Sequence, residues 1–377
     1  MCAKTSHENE QDQPVQKTCP QCHSQMKYSA EHQLLYCNQC AYKEDFERGQ
    51  DKIVEQDLNA ILQSAQSNTF KPSDLDKKVI ECQACHSQIM ISPDTVYVRC
   101  SFCGSEKINA TAYNQNLIQP QGIIPFKITQ QYARDSFNKW IREGWFRPNA
   151  LKSAAMLDSL KGIYLPFWTF DAKTYTRWSG EAGHYYYVTV ERNGQQVQER
   201  RIEWRPRSGD FNYSFDDVLI SGVDGIDRHI VEAIYPYNLK ETINYLPSLM
   251  IGWDAQIYNV DLENGYGIAK NKMDSTLEME ASRRLGGDTQ RGLRVSNQFG
   301  NQTFKHLILP IWICTYMYNG KVFQFAVNGQ TGKIEGEKPI SWVKVFFFVL
   351  FLVIVIGTII MLTNEAGSTS NSNPYYY

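Results

Sequence analysis

The chain has 377 residues, 42% hydrophobic and 13% aromatic, enough for two or three folded units and too apolar for a disordered adaptor. Its formal net charge of −2 excludes the strongly basic footprint on which tight, nonspecific nucleic-acid binding depends. Met1-Cys2-Ala3-Lys4 opens a polar stretch with no apolar run that could serve as a signal peptide, so reduced or metal-bound thiols are expected rather than disulfides.

Residues 1–16 are polar and predicted to be disordered. Cys19-Pro-Gln-Cys22 follows, then fourteen residues, then Cys37-Asn-Gln-Cys40. The same arithmetic returns in Cys82-Gln-Ala-Cys85, fourteen residues, and Cys100-Ser-Phe-Cys103. Four thiolates on two tight turns close a tetrahedral shell, so each quartet predicts a structural four-cysteine zinc ribbon, over 17–43 and 79–108, and two zinc ions per chain. Iron takes the same four ligands, and the sequence leaves that choice open. A knuckle of this type favours Gly after its second Cys, and only Cys103-Gly104 complies. His23, Ala41 and His86 take the other three positions, and the two histidines read as turn residues rather than spare ligands. Between the quartets, Ile53, Leu58, Ile61, Leu62 and Ala65 recur at helical spacing, and Asn68–Asp76 with Pro72 reads as a linker, so 44–78 is assigned as helix and linker.

The amide-rich stretch 109–122 is the expected linker to a β-rich α+β domain over 123–338. That domain opens with two expected helices, one capped by Thr129 with Ala133, Phe137, Trp140 and Ile141 on one stripe, the next running from Asn149 to Gly162. Strands follow over Ile163–Trp178 and Tyr185–Trp204, turning at Asn193-Gly194, a strong hairpin signal. A helix over Gly267–Leu285, with Met273, Leu277 and Ala281 on one side, ends at Gly286-Gly287. Strands resume at Lys305–Tyr318 and Lys321–Val327, with turns at Asn319-Gly320 and Asn328-Gly329. Ile163-Tyr-Leu-Pro-Phe-Trp is echoed by Leu307-Ile-Leu-Pro-Ile-Trp, by duplication of a helix-plus-hairpin unit or by chance agreement of six residues. The prolines of both motifs are expected at an edge, a strand start or a bulge.

Val345 to Leu362 carries no charge, and eighteen helical residues span about 27 Å, the thickness of a bilayer core. With Trp342 and Lys344 as interfacial anchors, a transmembrane helix is predicted over 340–362, followed by a polar tail over 363–377. Lys333, Lys338 and Lys344 precede the span and no Lys or Arg follows it. The positive-inside rule therefore puts the N-terminal domains in the cytoplasm and the tail outside, the topology of a single-pass membrane protein.

Chemistry is sparse. Gly329-Gln-Thr-Gly332-Lys333-Ile334 lacks the spacing and the hydroxyl of a phosphate-binding loop and reads as a hairpin turn. Cys314 reads as a buried hydrophobe, and Asp216-Asp217 as carboxylates on a surface turn. Arg192, Arg200, Arg201, Arg205 and Arg207 surround Trp204, but Glu191, Glu199 and Glu203 are interleaved, the pattern of a salt-bridged solvent face. No catalytic residue is assigned and no enzyme activity is expected.

The stretches IIPFKIT, WFRPNALK, GIYLPFWTFDA, FDDVLISG and FKHLILPIWICTYMYNGKVFQFAVNGQTGKIEGEKP resemble a family of bacterial TFIIB-type zinc-ribbon membrane proteins. That family is commonly labelled "primosomal protein N′ (replication factor Y), superfamily II helicase". The resemblance implies metal ligation by the eight cysteines named above and an association with SPFH/flotillin-like or PspA-like membrane-stress proteins. The expected function is a non-enzymatic membrane-anchored scaffold or recruiter. The alternative is a membrane-tethered nucleic-acid-binding accessory of replication or repair.

Overall fold

A computed structural model describes residues 17–46, 53–63, 69–70, 78–84, 86–91, 100, 105, 107–111, 117–143, 146, 160–224, 228–318 and 321–368. The expected disordered start, Cys85, Cys103, nearly all of the helix expected from Asn149, and the Asn319-Gly320 turn lie outside these residues. In chain order the elements are β1 (Lys27–Ser29), β2 (Leu34–Tyr36), β3 (Lys43–Glu44), β4 (Gln56–Asp57), α1 (Leu58–Gln63), β5 (Thr69–Phe70), β6 (Lys78–Cys82), β7 (Gln88–Ile91) and β8 (Ile108–Thr111). They continue as β9 (Leu117–Ile118), β10 (Gly122–Ile123), α2 (Gln130–Arg142), β11 (Lys161–Arg192), β12 (Gln195–Ser221), α3 (Arg228–Ala233), β13 (Ile243–Asn244) and β14 (Asp254–Gln256). The last are α4 (Leu262–Leu285), β15 (Thr289–Tyr318), β16 (Lys321–Asn328), β17 (Ile334–Gly336) and α5 (Trp342–Ser368).

The fold is mixed α+β and dominated by one sheet. β11 and β15 lie antiparallel at its centre, flanked by the hairpin partners β12 and β16. Thr129 caps α2, its side chain accepting from the Tyr132 N–H, and Ala133, Phe137, Trp140 and Ile141 are its buried stripe. Asn193 (φ 55°) and Gly194 (φ 78°) make the two-residue turn between β11 and β12, both in the left-handed region that such a turn requires. Helix α4 lies on the central strands by a ridge of small and apolar residues four apart: Gly265, Ala269, Met273, Leu277, Ala281 and Leu285, all buried. It ends at Gly286 (φ 69°) and Gly287 (φ 85°). Cys314 is fully buried in β15.

The two echoed motifs are direct neighbours. Leu165 pairs with Leu309, and the register runs outward to Ile163↔Ile311 and Phe167↔Leu307. Their surroundings repeat as well. β14 runs parallel to β11 at Ile163 and Tyr164, and β10 runs parallel to β15 at Leu307 and Ile308. The Trp168 indole donates to the Val260 carbonyl (2.9 Å), and the Trp312 indole to the Ile128 carbonyl (2.8 Å). Gly222 N–H bonds to Pro166 O and Gly329 N–H to Pro310 O, both at 2.9 Å. Two strand–helix–hairpin units are thus related by a local pseudo-two-fold.

This arrangement corrects the expected place of the prolines. Pro166 and Pro310 lie inside central strands, at the points where the neighbour changes: from β14 at Tyr164 to β12 at Phe167, and from β10 at Ile308 to β16 at Ile311. On that side no ladder N–H is needed, so the missing donor is harmless there.

Several boundaries also move. Lys161 and Gly162 belong to strand β11, not to a helix. Among the described residues of 44–78 the helix is α1, Leu58–Gln63, and Gln56–Asp57 before it is strand β4, paired with β15 at Thr303 and Phe304. Within the expected linker 109–122, Asn109–Thr111 pairs with β6, Leu117–Ile118 with β5, and Gly122 with Leu307. Asp216 and Asp217 lie within β12 rather than on a turn. The C-terminal helix runs on to Ser368, so its first six residues beyond Leu362 are helical rather than tail.

Candidate metal centre

The first cysteine quartet lies on a three-stranded antiparallel sheet, β1-β2-β3, whose ends bring two turns together. In each turn the leading cysteine anchors the backbone at both ends. Cys19 N–H bonds to Ser24 O (2.8 Å) and Cys19 O accepts from His23 N–H (2.9 Å). Cys37 N–H bonds to Tyr42 O (2.9 Å) and Cys37 O accepts from Ala41 N–H (2.9 Å). This curl forces His23 (φ 60°) and Ala41 (φ 59°) into the left-handed region, the place where the sequence lacks glycine. The histidines serve the turn.

The four Sγ atoms of Cys19, Cys22, Cys37 and Cys40 lie within 4.8 Å of one another, with Cys19–Cys40 and Cys22–Cys37 at 3.4 Å. Four sulfurs about 2.3 Å from one tetrahedral ion stand about 3.8 Å apart, so this cluster fits a metal without rearrangement. Protonation favours the same reading. The Ser24 hydroxyl and amide, followed by neighbouring thiols, draw the Cys22 thiol down to about 6. Cys40 receives a hydrogen bond from the Tyr42 amide that lowers it, but desolvation and the three neighbouring thiols outweigh this and push it up to about 12. A cation among the crowded thiols would favour ionisation of all four.

The quartet is not a free appendage. The Tyr28 hydroxyl donates to Phe126 O (3.0 Å), the Gln33 amide to the same carbonyl (3.1 Å), and the Trp253 indole to Tyr28 O (3.2 Å). Phe126 stacks on Trp253 at 4.0 Å, and Cys19 and Cys37 share one apolar cluster with Phe126 and Trp312. Loss of order at the cysteines would therefore reach the core of the main sheet.

Of the second quartet, Cys82 and Cys100 are both buried and pack in one cluster with Ile89, Ile163 and Leu309. The backbone around them repeats the pattern of the first unit: Cys82 N–H to Ser87 O (3.1 Å), His86 N–H to Cys82 O (2.8 Å) and Cys100 N–H to Ser105 O (2.8 Å), with His86 at φ 56°. Strand β7 joins the main sheet by pairing with β14 at Ala255 and Gln256.

Two polar groupings escaped the sequence. Lys305, nearly buried, lies 2.7 Å from Asp217, 3.2 Å from Glu55 and 3.9 Å from Asp171. The Thr303 hydroxyl donates to Glu55 (2.9 Å) and Asp171 (3.4 Å). Desolvation holds the Asp171 carboxyl up at about 6. This network ties the segment between the quartets to the sheet, through residues 46 to 250 positions apart that no local pattern links. The second grouping is His306 and Gln256, which line a cavity of about 20 Å³ with Tyr245 and Pro166, room for one water. His306 Nδ1 meets Ile118 O at 2.8 Å, and burial depresses the imidazole to about 4, so it is neutral.

Helix α5 carries the expected anchors Trp342, Lys344, Val345 and Leu362. Trp342–Met361 has a mean hydropathy of 2.9 and none of it is buried against the protein, so it is long and apolar enough to cross a membrane. The Thr358 hydroxyl, the one polar side chain between Val345 and Met361, donates to Val355 O (2.7 Å). On the β11–β12 hairpin, Arg201 meets Glu199 (3.8 Å) and Arg205 meets Glu203 (2.9 Å), the salt-bridged face its sequence predicts. Gly329–Lys333 forms the turn between β16 and β17, with Gly332 N–H on Asn328 O (2.9 Å).

The chain is similar to the uncharacterized protein YdjG of Bacillus subtilis (strain 168), 28% identical over 235 residues. The match covers 60% of this chain and 66% of the length of that protein. No protein-family model matches the chain, and no solved structure matches it.

Proposed function

We propose that the protein is a non-enzymatic scaffold, fixed to the cytoplasmic membrane by α5 and built around two zinc sites of four cysteines each. The observation that carries this reading is the closed set of four thiols at Cys19, Cys22, Cys37 and Cys40, all within 4.8 Å of one another. Four thiolates fill a tetrahedral shell and leave no position for a substrate, so the metal stabilises structure rather than performing a reaction. Zinc would be held in the second unit by Cys82, Cys85, Cys100 and Cys103, two of which share the knuckle hydrogen bonds of the first unit. The tandem ribbons then belong to the body of the protein, tied to it through Tyr28, Trp253 and β7, and do not act as independent binding modules.

The basic residues before the span, Lys333, Lys338 and Lys344, orient the folded part toward the cytoplasm. The resemblance to TFIIB-type zinc-ribbon membrane proteins makes SPFH/flotillin-like or PspA-like proteins the partners to test first. Purification of the full chain from membranes, with metal analysis and identification of bound proteins, tests the reading. Two zinc ions and a membrane-stress protein support it. Salt-dependent binding of DNA or RNA by the full chain would favour the nucleic-acid accessory instead.

A further inference from the structure

The β11–β12 hairpin outruns the rest of the sheet. β15 ends its pairing with β11 at Gly183↔Thr289, while β11 and β12 stay paired to Arg192↔Gln195. Nine further residues of β11, 184–192, extend about 30 Å past the last neighbour on that side. A two-stranded ribbon of this kind is marginally stable in water by itself. Its side chains are also unusually apolar for an exposed element: Tyr187 is 64% exposed, Val197 45% and Tyr186 44%.

The two edges of this arm differ. The outer edge of β12 carries Glu199, Arg200, Arg201, Glu203 and Arg205 and then Pro206, the charges and proline that guard an edge against pairing. The β11 edge reads Tyr185-Tyr-Tyr-Val-Thr-Val190, with no charge, no proline and high β-propensity. Asp288 closes only its base, with its N–H on Gly183 O (2.9 Å) and its carboxylate accepting from Tyr185 N–H (2.8 Å). Backbone groups alternate along a strand, and the β11–β12 register is unbroken here. Tyr187, Thr189 and Glu191 therefore point their N–H and C=O groups outward, where no strand lies among the described residues.

We infer that the β11 edge of this arm is a homodimer interface, pairing antiparallel with the same edge of a second copy about a two-fold axis at Thr189. The strand is self-complementary in that register. Thr189 faces Thr189 of the second copy, a favourable cross-strand pair, and Val188 faces Val190. Tyr186 comes opposite Arg192, which suits a guanidinium over a ring, and Tyr187 comes opposite Glu191, so no like charges meet. The ribbon is already built for such contacts: Arg200 lies over the Tyr185 ring at 4.4 Å. The product is a four-stranded sheet, β12-β11-β11-β12, in which both unguarded edges are covered.

The full chain in detergent or nanodiscs, sized by analytical ultracentrifugation over a concentration series, tests this. The expected result is a dimer whose dissociation midpoint rises at least tenfold in Thr189→Pro, which removes an outward N–H. Val188→Lys, which places two ammonium groups beside the axis, should act in the same direction without touching the backbone. Both positions lie outside the core, so at dilutions where the chain is monomeric the melting temperature should stay unchanged. A chain that is monomeric at every concentration overturns the inference. So does a dimer indifferent to both variants, which would be held by α5, and so does a different polypeptide recovered on this edge in place of the second copy.

Discussion

Leu165 and Leu309 stand opposite each other at the centre of the sheet, 144 positions apart in sequence and at equivalent places in two structural repeats. Around them the same contacts occur twice, including both proline carbonyls accepting from a glycine and both tryptophan indoles bonding just before a helix N-cap. Each helix has its N-cap seven residues after the first residue of its parallel strand, Thr129 after Gly122 and Asp261 after Asp254. Six echoed residues would agree by chance often enough, but a shared hydrogen-bond scheme would not. The echo belongs to a repeated unit whose two copies exchange their first strands.

The metal prediction follows from the two quartets. Elemental analysis of the purified chain should give two zinc ions, and Cys85→Ser should leave one. Cys22→Ser should also leave one, and in addition shift the tryptophan emission, because Trp253 and Phe126 pack directly against the first unit. An emission change with Cys85→Ser and none with Cys22→Ser would reverse the assignment of which unit supports the sheet.

The close approach of α4 makes Gly265 a sensitive position. A Cβ there would lie 2.8 Å from Cδ1 of Trp168, whose ring is fully buried and held by Val260 O. Gly265→Ala should lower stability by about 1–3 kcal/mol through overpacking, despite alanine's better helix propensity. Chemical denaturation measures it. A stabilised variant would mean that α4 can slide on the sheet.

Lys305 sits among three carboxylates, of which Asp171 is nearly buried while Glu55 and Asp217 are partly exposed. Lys305→Met should destabilise the fold by about 1–3 kcal/mol, measured by denaturant titration. Asp171→Asn in the same background should recover part of that loss, since the two residues face each other.

The same network gives a pH dependence. The folded-state pKa of Asp171, about 6, lies above the usual carboxylate value, chiefly through desolvation. A raised pKa contributes stability that is fully present below about pH 4 and is lost as pH rises through about 6. Comparison of the native chain with Asp171→Asn should therefore show the native chain losing ground between pH 4 and 6, with a constant difference above. A difference flat across that range would place Asp171 in open solvent.

Topology can be read with fusions. A reporter active only outside the cytoplasm should work after Tyr377 and fail at Met1, because the basic residues flanking the span all precede it. The opposite pattern would contradict the proposed orientation and the reducing environment that the cysteines need.

The cysteine spacing, the Asn193-Gly194 turn, the cap at Thr129, the glycine stop of α4 and the apolar run of α5 were legible in the sequence. Each is set by chemistry within a few residues: a left-handed backbone, an orphan N–H, a thiol pair, a length of hydrocarbon. The tertiary structure alone decided how those pieces meet. It placed Pro166 and Pro310 inside central strands, where a change of neighbour removes the need for an N–H. It made strands of Gln56–Asp57, expected in a helix, and of Asn109–Thr111, expected in a linker, by offering them β15 and β6 as partners. It also gathered Glu55, Asp171, Asp217 and Lys305 into one network. Such contacts depend on which distant strand supplies the other half of a hydrogen bond or an ion pair, and no periodicity in a single stretch of chain records that.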